Sequence, residues 1–175
     1  MKKGFTLIEL VIVIGILAIL ATTVVLVLNP AQLLAQARDS QRMSDLGSVK
    51  SAIALYLATA SSPTIGAGPY CTAACAQNPF SGTETVSTST AVTGAGWVAV
   101  DLTGTTGGSP LASLPLDPTN NSSYHYAYAG NNTEKTFELN AILESTKYSP
   151  LMANDKDGGD HASYYEIGTE PGLDL

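Results

Sequence analysis

Charge is scarce in this chain, and positive charge scarcest. Only 13% of its 175 residues are Asp, Glu, Lys or Arg, about half the usual share. Eight Lys+Arg face fifteen Asp+Glu, for a net charge of −7. That balance excludes a broad basic face for nucleic acid, and no direct nucleic-acid site is evident. There are two histidines and two cysteines, too few to build most metal centres or nucleophile–base pairs. G-x-S-x-G, H-E-x-x-H, Walker A and dinucleotide fingerprints are all missing. Neither His125 nor His161 is coupled to a nucleophile by its local sequence. The chain therefore reads as a non-enzyme that needs no cofactor for catalysis.

Apolar material is not lacking, but it is unevenly placed. From Phe5 to Leu28 only Thr6, Glu9, Gly15, Thr22 and Thr23 break the run. As a helix the run would be about 36 Å long, against about 30 Å of bilayer hydrocarbon. Lys2 and Lys3 precede it, which places the N-terminus in the cytoplasm and the remainder outside. A cleaved secretory signal has a shorter apolar core and a small-residue cleavage site. A plain signal anchor on an exterior domain is the simplest alternative.

The opening residues, Lys2-Lys3-Gly4-Phe5-Thr6-Leu7-Ile8-Glu9-Leu10, resemble the leader and junction of type IV prepilins and type II secretion pseudopilins. The close match covers roughly residues 1–58. The resemblance implies that a prepilin peptidase cuts between Gly4 and Phe5 and methylates the new Phe5 amine. It implies a pilin fold of the α+β class: a long N-terminal hydrophobic helix, packed by its second half on a small antiparallel sheet. It also implies an inner-membrane platform protein and an assembly ATPase as partners. Before assembly the chain would be a single-pass protein of the inner membrane, and afterwards a homo-oligomer in a helical filament.

Glu9 has a physical argument of its own. A carboxylate one turn inside a membrane helix costs a few kcal/mol on insertion scales, so it requires a partner or a proton. After cleavage the Phe5 amine is the nearest kind of partner, and the resemblance implies that the pairing runs between neighbouring subunits during assembly. A carboxyl at the headgroups that pairs with nothing is the alternative. Pro30 follows the apolar run. It either kinks a continuous helix or starts a new one behind Asn29 as N-cap.

The organisation follows: a leader at 1–4, a transmembrane and filament-core helix at 5–30, and an amphipathic helix at 31–60. Leu46, Val49, Ile53, Tyr56 or Leu57, and Ala60 form its apolar stripe. Asp39 and Arg42, and Arg42 and Asp45, are spaced as pairs on a polar face. A variable Gly/Ser/Thr-rich loop spans 61–96. The antiparallel sheet and a C-terminal acidic loop occupy 97–175, with strands expected at Trp97–Leu102, Tyr124–Ala129, Lys135–Ile142 and Ser163–Ile167.

Cys71 and Cys75 lie in the loop. In an exported chain two cysteines favour a disulfide over free thiols. A metal site is the weakest alternative, since C-x₃-C has no second Cys pair and only His125 and His161 remain to help. The order Leu114-Pro115-Leu116-Asp117-Pro118, a short loop, then Tyr124-x-Tyr126 is similar to the major pseudopilin of type II secretion, whose acidic C-terminal loop binds calcium. Asp155, Asp157 and Asp160 stand in the corresponding run here, with oxygen ligands suited to Ca²⁺. A solvated acidic turn is the alternative.

The sequence thus leads to a type IV pilin serving adhesion, twitching motility or DNA uptake. A major pseudopilin acting in protein export is the second reading, and a membrane-anchored binding domain that never polymerises the third. The final location would be an extracellular pilus or a periplasmic pseudopilus.

Overall fold

The computed structural model describes residues 4–75 and 79–175. Residues 1–3, of the leader expected at 1–4, and residues 76–78, of the variable segment expected at 61–96, lie outside them. The chain divides into an N-terminal unit running to Ala35 and a second unit, Gln36–Leu175.

Helix α1 spans Leu7–Leu28. Thr6 caps it: its hydroxyl accepts the Glu9 N–H at 3.3 Å, and Glu9 Oε2 accepts the Thr6 N–H at 2.8 Å. This reciprocal box satisfies two of the donors that a helix start leaves free. Asn29 ends α1 in the left-handed region, with φ 40°. Helix α2, Pro30–Thr59, begins at the next residue. The Asn29 carbonyl accepts the Gln32 N–H at 3.0 Å and the Asn29 side chain accepts it at 3.4 Å. Of the two roles open to Pro30, the structure shows the helix start: its missing N–H falls where a first turn needs none.

The second unit is built on a five-stranded sheet in the order β2-β1-β3-β4-β5. The strands are β1 Tyr70–Cys71, β2 Thr85–Val86, β3 Tyr126–Asn131, β4 Thr136–Ala141 and β5 Tyr165–Gly168. β3, β4 and β5 are antiparallel neighbours, and β1 runs antiparallel to β3. The class is α+β, a long N-terminal helix followed by the sheet. The sheet is mixed rather than wholly antiparallel, because β1 and β2 pair in parallel. Both of those strands arise inside the segment read from sequence as loop. Two residues each are too short to display an alternation.

The expected strand at Trp97–Leu102 is not formed. Trp97, Val98, Val100 and Leu102 are all buried, but the backbone groups there bond to two loops instead of one neighbour. Trp97 N–H donates to Ser89, Leu102 N–H to Val92, and the Ala99 carbonyl accepts from Gly66. A lone bridge, Thr93 to Asp101, is the only ladder contact there among the described residues.

One face of the sheet carries Tyr126, Tyr128, Phe137 and Leu139, which form one core with Leu46, Val49, Ile53 and Tyr56 of α2. Apolar burial of this kind is worth about 1.5–3 kcal/mol per large side chain. The opposite face is also covered. Cys71, Phe80, Ala127 and Ala129 make a second small cluster there, with Cys75 and Leu175 at its edge. Beside it Glu138, Asn140 and Glu166 are buried polar groups.

Candidate functional site

Every described side chain of α1 from Leu7 to Leu28 is exposed. Leu7–Val25 is the one helical stretch among the described residues long and apolar enough to cross a membrane. Such a surface demands a bilayer or other apolar helices. Gly4 and Phe5 sit exposed just before it, and Glu9, the only charged side chain of the helix, is exposed in its first turn. Glu9 turns back on its own chain: besides the Thr6 N–H, its Oε2 accepts the Thr6 hydroxyl at 2.8 Å. The T-x-x-E pattern of a capping box stands in the sequence at Thr6–Glu9, and sequence reasoning passed over it in favour of the charge.

On α2, the Asp39–Arg42 pair expected on a polar face is fully buried. The Arg42 guanidinium donates to Asp117 at 2.6 Å and 3.1 Å, to Asp39 at 2.8 Å and to Glu144 at 2.7 Å. Its carbon lies 4.9 Å from the centre of the Tyr124 ring. Asp39 also accepts the backbone N–H groups of Glu144 and Ser145. Arg38 adds a two-pronged bond to Glu144 at 2.6 and 2.7 Å. The Arg38 bond, aided by Arg42, holds the Glu144 carboxyl down at about 2. Asp45 does not pair with Arg42; it accepts the Tyr126 hydroxyl at 2.8 Å. These bonds tie α2 to the Leu114–Pro118 segment and to the chain after β4. They anchor the fold, and they present no free reactive group.

The acidic C-terminal run folds as a short helix α3, Asn154–Asp157, and a turn. Gly158 takes a φ of 88° there. A Cβ on Gly159 would collide with the Glu166 side chain. Asp155 bonds Lys156 at 2.7 Å. Asp157 accepts the N–H groups of Gly159 and Glu166, each at 3.2 Å. Asp160 is exposed, and its carbonyl accepts from Asn154 at 2.7 Å. The carboxylates of the three aspartates do not gather within 4.8 Å of one another.

The nearby carboxylates Glu138 and Glu166 are buried close together on β4 and β5, and Asn140 donates to Glu138 at 2.7 Å. Burial, and for Glu166 the proximity of Glu138, pushes both carboxyls above their ordinary range.

Cys71 and Cys75 are joined as a disulfide. The structure also brings His125 against them: a ring nitrogen of His125 and both sulfurs lie within 4.8 Å of one another. Thr72 fixes this meeting. Its hydroxyl accepts the Tyr126 N–H at 3.0 Å, and its own N–H donates to the Tyr126 carbonyl at 2.9 Å. Strand β1 is thereby clamped to the start of β3. Fifty residues separate His125 from Cys75, so only the alternation placing His125 on the face of Ala127 hinted at it. His161, the other histidine, lies edge-on to Tyr164 at 5.0 Å between ring centres, and the same Tyr164 ring meets His125 edge-on at 6.2 Å.

Residues 1–25 match the family model of the prokaryotic N-terminal methylation motif. No curated protein and no solved structure matches the chain.

Proposed function

From an N-terminus that carries the signal of a pilin- or pseudopilin-type precursor, we propose that the protein is a structural subunit of a type IV pilus. The observation that carries this reading is α1, apolar on every side and unburied, behind a methylation motif. After cleavage between Gly4 and Phe5 the helices bundle into the filament core, and the Gln36–Leu175 units face outward. Glu9 joins the methylated Phe5 amine of a neighbouring subunit. In the precursor the same carboxylate caps its own helix, and exchanging Thr6 for that amine accompanies assembly. Adhesion, twitching motility or DNA uptake would be the filament's task. A platform protein and an ATPase supply the work, since the chain offers no nucleotide motif.

The Leu114–Pro118 segment favours a second reading, a major pseudopilin whose short periplasmic filament acts in protein export. Its Asp117 is the buried partner of Arg42, which gives that likeness a structural role. Electron microscopy of sheared cell surfaces, with an antibody to residues 61–175, tests both. Labelled surface filaments support the pilus. Antigen confined to the periplasm, with an export defect in the deletion strain, supports the pseudopilin. Monomers that stay in the membrane leave an anchored domain that does not polymerise.

A further inference from the structure

We propose that Cys71, Cys75 and His125 form a metal site when the disulfide is open, taking a borderline-soft ion of the zinc(II) type. The loop would then have two exclusive states, a disulfide and a metal-bound dithiolate.

The argument begins with His125. The residue is fully buried, and among the described residues neither ring nitrogen has a full hydrogen-bond partner, the Asn121 backbone acting on the ring only as a neighbour. A buried polar group left without a partner costs about 1–3 kcal/mol. A phenylalanine would fill the same space without that penalty. Even if Asn121 engaged one nitrogen, the other would remain for the sulfurs. Burial also lowers the tendency of the ring to protonate, which leaves it in the neutral form that binds metal.

The donor set and its spacing fit such an ion. Two thiolates and an imidazole are ligands of zinc, which binds sulfur at about 2.3 Å and nitrogen at about 2.0 Å. A tetrahedral shell with those bonds sets the sulfurs about 3.8 Å apart and each sulfur about 3.5 Å from the nitrogen. The three donor atoms already lie within 4.8 Å of one another. The Cα atoms of the cysteines are 6.3 Å apart, so rotation of two short side chains suffices. Among the described residues Phe80, Ala127 and Ala129 give the sulfurs apolar neighbours. Cys75 is partly buried as a residue, whereas Cys71 and His125 are fully buried.

The chemistry balances. A dithiol reductant passes two electrons and two protons to the Cys71–Cys75 bond and itself becomes a disulfide. The metal then displaces both thiol protons to solvent. A disulfide oxidant then takes the two electrons from the dithiolate and two protons from solvent, becoming two thiols, as the Cys71–Cys75 bond re-forms and the ion is released.

The test uses the full chain in detergent micelles, reduced anaerobically with a phosphine, and cobalt(II) as the probe. The expected result is one cobalt per chain, with the visible bands of a tetrahedral site and a sulfur-to-cobalt charge-transfer band, displaced by zinc(II). The oxidised chain should show neither band. Cys75→Ser should abolish the charge-transfer band of a two-sulfur site. His125→Asn should weaken cobalt binding by more than about tenfold, the least expected of a direct ligand given the 10–100-fold cost of losing outer partners. His161→Asn should leave it unchanged. If His125→Asn does not fold, zinc-edge X-ray absorption of the reduced wild-type chain decides: two sulfurs and one imidazole support the site. Absent cobalt bands in the reduced chain, undiminished affinity in folded His125→Asn, or an absorption spectrum without imidazole would each overturn it.

Discussion

Arg42 Nε donates to Asp117 Oδ2 at 2.6 Å, and neither side chain is exposed to solvent. Asp117 Oδ1 in turn accepts the N–H groups of Thr119 and Asn120, at 2.8 and 3.1 Å. One carboxylate thus anchors the helix and shapes the turn that leads into β3. Removing one member of a buried pair strands the other. Asp117→Asn should destabilise the Gln36–Leu175 unit toward the lower end of about 3–5 kcal/mol, because Asp39 and Glu144 still face Arg42. Urea unfolding of that fragment measures the effect, and a loss under about 1 kcal/mol would show that the network contributes little.

Glu9 has two separable roles. Glu9→Gln keeps an acceptor for the Thr6 N–H but removes the charge, whereas Glu9→Leu removes both. Both variants should enter the membrane readily and both should assemble poorly. Only Glu9→Leu should also lose amide-exchange protection at the start of α1. Normal filament yield from Glu9→Gln would take the charge out of the assembly step.

Processing should leave a chain that begins at N-methylated Phe5. Loss of Lys2 and Lys3 shifts the net charge from −7 to −9. Mass spectrometry of membrane-extracted protein reads both changes. Gly4→Leu should leave the full precursor, and an unprocessed wild-type chain would remove the filament reading.

Two sets of carboxylates shape the pH dependence, in opposite senses. Glu144 titrates near 2 in the folded protein, below its ordinary value, so its stabilisation is present above the ordinary carboxylate range and is lost as pH falls toward 2. Glu138 and Glu166 titrate above that range. Their contribution is complete below it and is lost as pH rises through the raised values. The groups around them are Asn140, Asp157, Asp160 and the N–H groups of His161 and Leu175. The fragment should therefore be most stable in mild acid. Glu166→Gln should flatten the alkaline decline and Glu144→Gln the acid one. A melting temperature that rises from pH 5 to pH 9 in the wild-type fragment would contradict this account.

Calcium at Asp155, Asp157 and Asp160 would have to draw Asp155 from Lys156 and Asp157 from two backbone N–H groups. Melting curves of the fragment in millimolar calcium and in chelator should therefore superimpose. A rise with calcium that Asp157→Ala abolishes would restore the ion expected from the sequence.

The apolar N-terminal helix, the methylation motif over residues 1–25 and the stripe at Leu46, Val49, Ile53 and Tyr56 were legible in the sequence, because each is a local pattern with its own period or composition. So were β3, β4 and β5, displaced by two residues or fewer. β1 and β2 were not, since two-residue strands exist only through the neighbours that pair with them. Trp97–Leu102 alternates like a strand, yet its backbone finds bonds in two different loops, one at Gly66 and one at Ser89–Val92, and no ladder results. A local pattern states which side of a segment is apolar; it is silent on what lies opposite. Arg42 reads as a solvated helix charge until the turn at Asp117 and the chain at Glu144 fold over it. Likewise Cys71, Cys75 and His125 are unremarkable apart. Only the pairing of β1 with β3 places an imidazole against two sulfurs, because a contact fifty residues apart in the chain is determined by strand register and not by spacing.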